Sequence, residues 1–244
     1  MLSKVAVIVE TREHDALPFV LNNVMSVLPE EYSLQIFHGT SNYEYVYDSV
    51  ENDMMLLDKE VEFTNLNIDS ISADDSSLEI MLTKDFWNKV VGENVLYFEC
   101  DTMLCPNSEF KIKDFEDFNY IGGYWGNELG MMNQKYNRVM NGGLSFRKKS
   151  FMLDIIENKL QSYLDNGGNP CEDYFVSEMV EDKPTYEEVL SFSIDNGYMY
   201  PINDKAPFGL HKPWGEVKSK GHGKYYDDIK KVCKDVEKLE IYNV

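Results

Sequence analysis

Apolar runs and helical stripes alternate along the first hundred residues. Val5-Ala6-Val7-Ile8-Val9 is an unbroken apolar run, the pattern of a strand covered on both faces of a parallel sheet. Leu17, Val20, Leu21, Val24 and Leu28 then recur at helical spacing until Pro29 stops them. Leu34-Gln35-Ile36-Phe37 predicts a second strand. This β-α-β opening predicts an α/β fold with a Rossmann-like, mostly parallel sheet flanked by helices. Ser76 can cap a helix carrying Leu78, Met81, Leu82 and Phe86 on one face, and Val95-Leu96-Tyr97-Phe98 is the next buried strand.

Beyond Asp114 the pattern loosens. Tyr120-Ile121-Gly122-Gly123-Tyr124-Trp125-Gly126 reads as an irregular aromatic and glycine-rich stretch, and Asn141-Gly142-Gly143 as a turn leading into a strand through Arg147. Met152, Ile155, Ile156 and Leu160 mark a helix ending near Asn166-Gly167-Gly168, and another starts near Glu172. Lysines alternating with Ile229, Val232 and Val236 predict one last docking helix, from about Tyr225 to Leu239. No linker or repeat interrupts the chain. The expectation is one domain over residues 1–244, with a nucleotide-binding half (about 1–105), an acceptor-binding half (about 106–215) and a C-terminal helix (about 224–240).

The charge sharpens this picture. With 43 Asp and Glu against 23 Lys and Arg, the net charge of -20 repels phosphate backbones, so nucleic acid and anionic membranes are excluded as partners. An anionic substrate would need local cations or a bound metal. The first residues lack the shape of a signal peptide, and no apolar run approaches the roughly 18 residues of a membrane span. A soluble, cytoplasmic protein is expected. Cys100, Cys105, Cys171 and Cys233 form no C-x-x-C pair; free thiols in a reducing cytosol are expected over a disulfide framework, with zinc ligation a distant second.

Several residues can carry chemistry. Glu99 and Asp101 directly follow a buried strand, where an open parallel sheet binds its ligands, and carboxylates suit Mg²⁺ or Mn²⁺ holding a diphosphate. In so acidic a chain a solvated strand end explains them as simply. In Gly209-Leu210-His211-Lys212-Pro213-Trp214, His211 can ligate Mn²⁺, Lys212 can neutralise a leaving diphosphate, and Pro213 and Trp214 offer an apolar wall; the plain alternative is a surface loop. Glu172 and Asp173 suit either an ordinary first helical turn or a general base in a cleft. Asn141, Gly142 and Gly143 permit close backbone approach to a ligand or form a simple hairpin, and Trp125 can stack on a sugar or fill core.

Together, Phe98-Glu99-Cys100-Asp101-Thr102, Tyr120 to Trp125, Asn141 to Arg147, Glu172-Asp173-Tyr174-Phe175 and His211-Lys212-Pro213-Trp214 resemble a glycosyltransferase-like family of the GT-A fold. That family is catalogued as a domain of unknown function, with microbial, fungal and large-DNA-virus members. The opening Val9-Glu10-Thr11-Arg12 and Phe37-His38-Gly39 also resemble its amino-terminal part, so the likeness spans roughly Lys4 to Trp214. It implies a hexosyl- or pentosyltransferase using a UDP- or GDP-type sugar, a divalent metal (Mn²⁺ or Mg²⁺), and a glycan or other hydroxyl acceptor. Carried over by position, Asp101 would ligate the metal, Glu99 would reach the ribose or the metal through water, and His211 would complete the shell. Thr11 and Arg12 would lie near the nucleobase. Asn141, Gly142, Gly143 and Trp125 would border the sugars, with Asp173 as base and Glu172 orienting the acceptor.

The sequence departs from the D-x-D pattern in its first acid, Glu99, which puts the role of that residue in question. The outcome expected is inversion, although the His-Lys-Pro-Trp ending also resembles retaining relatives. A sugar-nucleotide nucleotidyltransferase would carry a glycine-rich basic loop after the first strand, where Glu10-Thr11-Arg12-Glu13-His14-Asp15 stands instead. A non-catalytic carbohydrate-binding protein would need neither the metal motif nor Asp173.

Overall fold

The computed structural model describes residues 2–69, 80–124, 139–196, 201–215 and 225–243. Strand β1 (Leu2–Glu10) is followed by helix α1 (Leu17–Val27), β2 (Ser33–His38), α2 (Tyr43–Glu51) and β3 (Val61–Asn65). Val5 to Ile8 have no exposed surface, as their unbroken apolar pattern requires of a central strand. Helix α1 lays Leu17, Val20, Leu21 and Val24 on the sheet. The helix carrying Phe86 is the short α3 (Lys84–Lys89), capped by Thr83, whose hydroxyl accepts from the Phe86 N–H; Ser76 lies outside the described residues. Strand β4 (Gly92–Phe98) then delivers Glu99 and Asp101 to the carboxyl edge of the sheet, and β5 (Thr102–Leu104) begins immediately after.

The second half contributes β6 (Tyr120–Tyr124), β7 (Met140–Lys148), α4 (Lys149–Asn158), α5 (Leu160–Asp165), α6 (Glu172–Met179), α7 (Tyr186–Phe192), β8 (Ser193–Asp195) and β9 (Gly209–His211). The nine strands among the described residues form one sheet, ordered β3-β2-β1-β4-β7-β6-β8-β9-β5. Strands β3, β2, β1 and β4 are parallel, β7 runs against both β4 and β6, and β6, β8 and β9 are again parallel, with β5 antiparallel on the outer edge. The sheet is thus mostly parallel, and no helix among the described residues is long and apolar enough to cross a membrane.

Five expectations need correction. The stretch from Tyr120 is a buried strand as far as Tyr124, because it pairs with β7. Asn141-Gly142-Gly143 is not a turn but part of a bulge in β7: the register with β6 passes from Gly122↔Ser145 to Gly123↔Asn141, so three residues of β7 have no partner on β6. The helix marked by Met152 to Leu160 breaks at Lys159 into α4 and α5. The last helix is also two, α8 (Tyr226–Val232) and α9 (Val236–Asn243), divided where Asp235 takes a positive φ of 70°. Cys233 stands at that division and is bonded to Cys105 in a disulfide, with the Cα atoms 5.2 Å apart. Free thiols are therefore found only at Cys100 and Cys171, and the thiol argument for a reducing cytosol falls away.

Candidate active site

Two hairpin-like partners bring the acid step and the distant histidine together. Strand β5 pairs antiparallel with β9 in the register Thr102↔His211, and the Lys212 N–H donates to the Asp101 carbonyl at 3.0 Å. This pairing sets the His211 ring above the acids, with Nε2 lying 3.2 Å from Asp101 Oδ1 and 3.4 Å from Glu99 Oε2. One ligand atom from each of Glu99, Asp101 and His211 lies within 4.8 Å of the others. Lys212, turned by a φ of 44°, brings Nζ to 3.5 Å from Asp101 Oδ2.

A residue not singled out from the sequence completes the arrangement. Asp195, at the end of β8 and 1% exposed, holds His211 Nδ1 at 2.8 Å, and Asn196 Nδ2 donates to its other oxygen at 2.9 Å. A carboxylate accepts, so Nδ1 carries a proton, and Nε2 is the ring nitrogen turned toward Glu99 and Asp101. Glu99 and Asp101 therefore draw positive charge to Nε2, a proton when no metal is bound and a cation in its place when one is. Both Asp101 Oδ1 and His211 Nε2 are buried without a hydrogen-bond partner; their 3.2 Å approach lacks hydrogen-bond geometry. A divalent cation bound by two hard oxygens and an imidazole fits this donor set, and the Asp195–His211 pair matches the outer-shell support such ligands require.

The protonation equilibria report the same crowding. Burial works to raise the Asp101 carboxyl, but His211 and Lys212 outweigh it and hold Asp101 well below the usual carboxylate range. Burial opposes a charged His211, yet Asp101 and then Asp195 push its pKa well above the usual value. Lys212 is raised as well, because Asp101 and Glu99 overcome its desolvation. Three carboxylates thus demand positive charge at one point of an already acidic protein.

Beside this cluster, Glu10 ends β1 and is 4% exposed, with the half-exposed Arg12 folded onto it. Its Oε1 accepts from Arg12 N–H at 2.8 Å and Nε at 2.9 Å, and its Oε2 from Nη2 at 2.8 Å. Asn42 ties the same segment by donating to the Glu10 and Arg12 carbonyls. Hydrogen bonding to Glu10 raises Arg12 further above its ordinary pKa, and the two charges are locked in one ion pair next to the acid step. Thr11, between them, is buried.

The glycine bulge connects the histidine to the acidic pair of α6. A Cβ on Gly143 would stand 2.4 Å from His211 Nε2 and 2.6 Å from Cε1; a Cβ on Gly142 would stand 2.6 Å from both Arg147 Nη2 and Asp173 Oδ1. Gly142 N–H donates to Asp173 Oδ1 at 2.8 Å, and Gly143 N–H to Asn141 Oδ1 at 2.8 Å. Glu172 is wholly buried and forms an ion pair with the equally buried Arg147. Arg147, a second residue whose part the sequence did not reveal, also donates to Ser145 Oγ (2.8 Å) and the Gly142 carbonyl (3.2 Å). Its guanidinium lies 5.1 Å from the Tyr97 ring centre and 5.4 Å from that of Tyr120. Burial, followed by the charge of Glu172, raises the Asp173 carboxyl well above its usual range. Trp214 is 6% exposed, with most of its ring against the core, and Trp125 lies outside the described residues.

A family model described as a protein of unknown function (DUF5672) matches residues 60–211, more than half of the chain. The chain belongs to this family. No curated protein matches it. Among solved structures, the glycosyltransferase GlyE of Streptococcus pneumoniae TIGR4 superposes with a TM-score of 0.58 and 10% identity, over 99% of this chain and 61% of GlyE. The galactosyltransferase LgtC, solved with donor and acceptor sugar analogues, superposes with a TM-score of 0.61 and 11% identity, over 98% of this chain and 94% of LgtC. WbbM, described as a bifunctional glycosyltransferase, gives 0.59 and 8% over 98% of this chain and 51% of its own. The chain therefore spans about three fifths of GlyE and half of WbbM. At such identities the likeness is one of fold, and this DUF5672 member has the GT-A glycosyltransferase fold.

Proposed function

We propose that this DUF5672 member is a metal-dependent glycosyltransferase that moves a sugar from a nucleotide-diphosphate donor to an acceptor hydroxyl. The observation that carries the reading is the convergence of Glu99, Asp101 and His211 at the carboxyl edge of the sheet, with the facing Asp101 and His211 atoms left without hydrogen bonds. When bound there, Mn²⁺ or Mg²⁺ would neutralise the diphosphate and stabilise its departure. Asp101 and His211 are the direct ligands in this reading, and Glu99 reaches the metal or the ribose.

Around that centre, Lys212 and Arg12 supply fixed positive charge to an anionic donor that a -20 chain would otherwise repel. Arg12 and Thr11 border the base, which is of the UDP or GDP type. Asn141, Gly142, Gly143, Trp125 and Trp214 border the sugars. Asp173 takes the proton of the acceptor hydroxyl; burial beside Glu172 raises its affinity for a proton, as a general base requires. Glu172 serves beside it by anchoring Arg147 and so fixing the bulge against which Asp173 is aimed. Direct attack by that hydroxyl inverts the anomeric centre. The nucleotide half (about 1–105) and acceptor half (about 106–215) would then share one crevice.

Isothermal titration with UDP and GDP, with and without Mn²⁺, tests the donor site: metal-dependent binding of one diphosphate is expected. A protein that binds sugars yet ignores both nucleotides is a lectin, and the proposal fails. NMR of the product tests the stereochemistry, and retention of the donor's anomeric configuration removes Asp173 from its role as the base for an inverting attack.

A further inference from the structure

The helix pair α8–α9 lies beyond the family match, which ends at residue 211, yet it grips the acid step at two points. Asp101 immediately precedes β5, and Cys105 immediately follows it. At the far end of this short segment, Cys105 is bonded to Cys233, the residue that closes α8; both sulfurs belong to wholly buried residues. At the near end, Asn243 of α9 donates from Nδ2 to the Cys100 carbonyl at 3.1 Å, the peptide between Glu99 and Asp101. The same amide donates to the Leu239 carbonyl at 3.1 Å, which fixes its direction. Asn107 Nδ2 donates to the Val232 carbonyl at 2.6 Å, and Val236 and Leu239 are buried, so the pair is docked rather than loosely tethered.

Strand β5 is only three residues long and occupies the outer edge of the sheet, paired on one side with β9. Its far end is also held by Asn23 of α1, which accepts from the Leu104 N–H at 2.7 Å and donates to the Leu104 carbonyl at 3.0 Å, so the helix pair's own contribution is to the Glu99-Cys100-Asp101 step before it. We propose that α8–α9 is a positioning clamp for the Glu99-Cys100-Asp101 step, with Asn243 its positioning residue and the Cys105–Cys233 bond its redox-sensitive anchor. The inference rests on the reading of Glu99, Asp101 and His211 as a divalent-cation site. Reduction by a phosphine breaks the S–S bond: the sulfurs take up the electron pair and two protons, and the phosphine gains the oxygen of water to become its oxide. Because both cysteines are buried, the reagent reaches them only when the helices open, and the freed α8–α9 then releases the Cys100 peptide.

The test uses the full chain with Mn²⁺ as probe, following free Mn²⁺ by electron paramagnetic resonance, alongside amide hydrogen exchange of residues 99–105 without metal. Asn243→Ala keeps the disulfide, and Cys233→Ser removes it. Both are expected to weaken Mn²⁺ binding about tenfold, the lower end of the range for outer-shell partners, and to speed exchange over 99–105. Phosphine-treated wild type should match Cys233→Ser, while Asp101→Ala binds no Mn²⁺. Wild-type affinity and wild-type exchange in both Asn243→Ala and Cys233→Ser would overturn the clamp. If Asp101→Ala binds Mn²⁺ like wild type, the metal reading itself fails, and unchanged exchange over 99–105 then overturns the clamp independently.

Discussion

Arg147 is the group on which the geometry of the glycine bulge depends most. It is fully buried, paired with the fully buried Glu172, and hydrogen-bonded to Ser145 Oγ and the Gly142 carbonyl. Replacing it by Met keeps much of the stem but strands the Glu172 carboxylate without its cation. Removing one partner of a buried ion pair costs about 3–5 kcal/mol, a large share of a typical total stability of about 5–15 kcal/mol. With a urea m-value of about 2–3 kcal/mol/M, Arg147→Met should lower the unfolding midpoint by more than about 1 M. The double variant Arg147→Met/Glu172→Gln removes both charges and should recover most of the loss, giving a coupling energy of about 3 kcal/mol or more. Urea denaturation of the four proteins, followed by tryptophan fluorescence, completes the cycle. A single variant costing less than about 1 kcal/mol, or a double variant as unstable as the single, would refute the claim that the pair is a buried, mutually dependent brace.

Three further outcomes follow from the same contacts. Gly143→Ala should fold with a loss of about 1–3 kcal/mol but bind Mn²⁺ at least tenfold more weakly by calorimetry, since its Cβ would displace a His211 ring that Asp195 prevents from swinging away. Asp195→Ala should lower Mn²⁺ affinity by about 10- to 100-fold by calorimetry, because His211 loses the carboxylate that orients its ring. Asp173→Asn should abolish transfer yet raise the thermal midpoint at pH 7. A carboxyl whose pKa is raised by folding stabilises fully only below its unfolded value of about 3.9 and loses that contribution as pH climbs through the folded value. The stabilisation by Asn should therefore shrink toward pH 4 in a melting series, and a constant difference would remove the raised pKa from the explanation.

How much of this was legible in the sequence depended on the range of the signal. Strands β1, β2 and β4 announce themselves because burial on both faces leaves continuous apolar runs, and their order places Glu99 and Asp101 at a ligand-binding edge. Strands β8 and β9 are three residues each and carry no period, so Asp195 lies in an unmarked segment and its bond to His211 emerges only from the parallel register Asp195↔His211. Arg147 stood inside a recognisable block, but nothing local tells a buried arginine from a surface one. The Cys105–Cys233 bond joins residues 128 positions apart, beyond any spacing rule, which is why motif-based reading favoured free thiols. The bulge misread as a turn shows the same limit: glycine marks an unusual backbone, and only the partner strand decides which kind.

The most direct test is turnover. Purified wild type and Asp101→Ala are incubated with a panel of UDP- and GDP-sugars, with Mn²⁺ or with EDTA, and release of the nucleoside diphosphate is measured. Release from one donor class by wild type with Mn²⁺, abolished both by EDTA and by Asp101→Ala, is the predicted result. Release that persists unchanged in EDTA, or in Asp101→Ala, would contradict a metal–diphosphate site built on Glu99, Asp101 and His211.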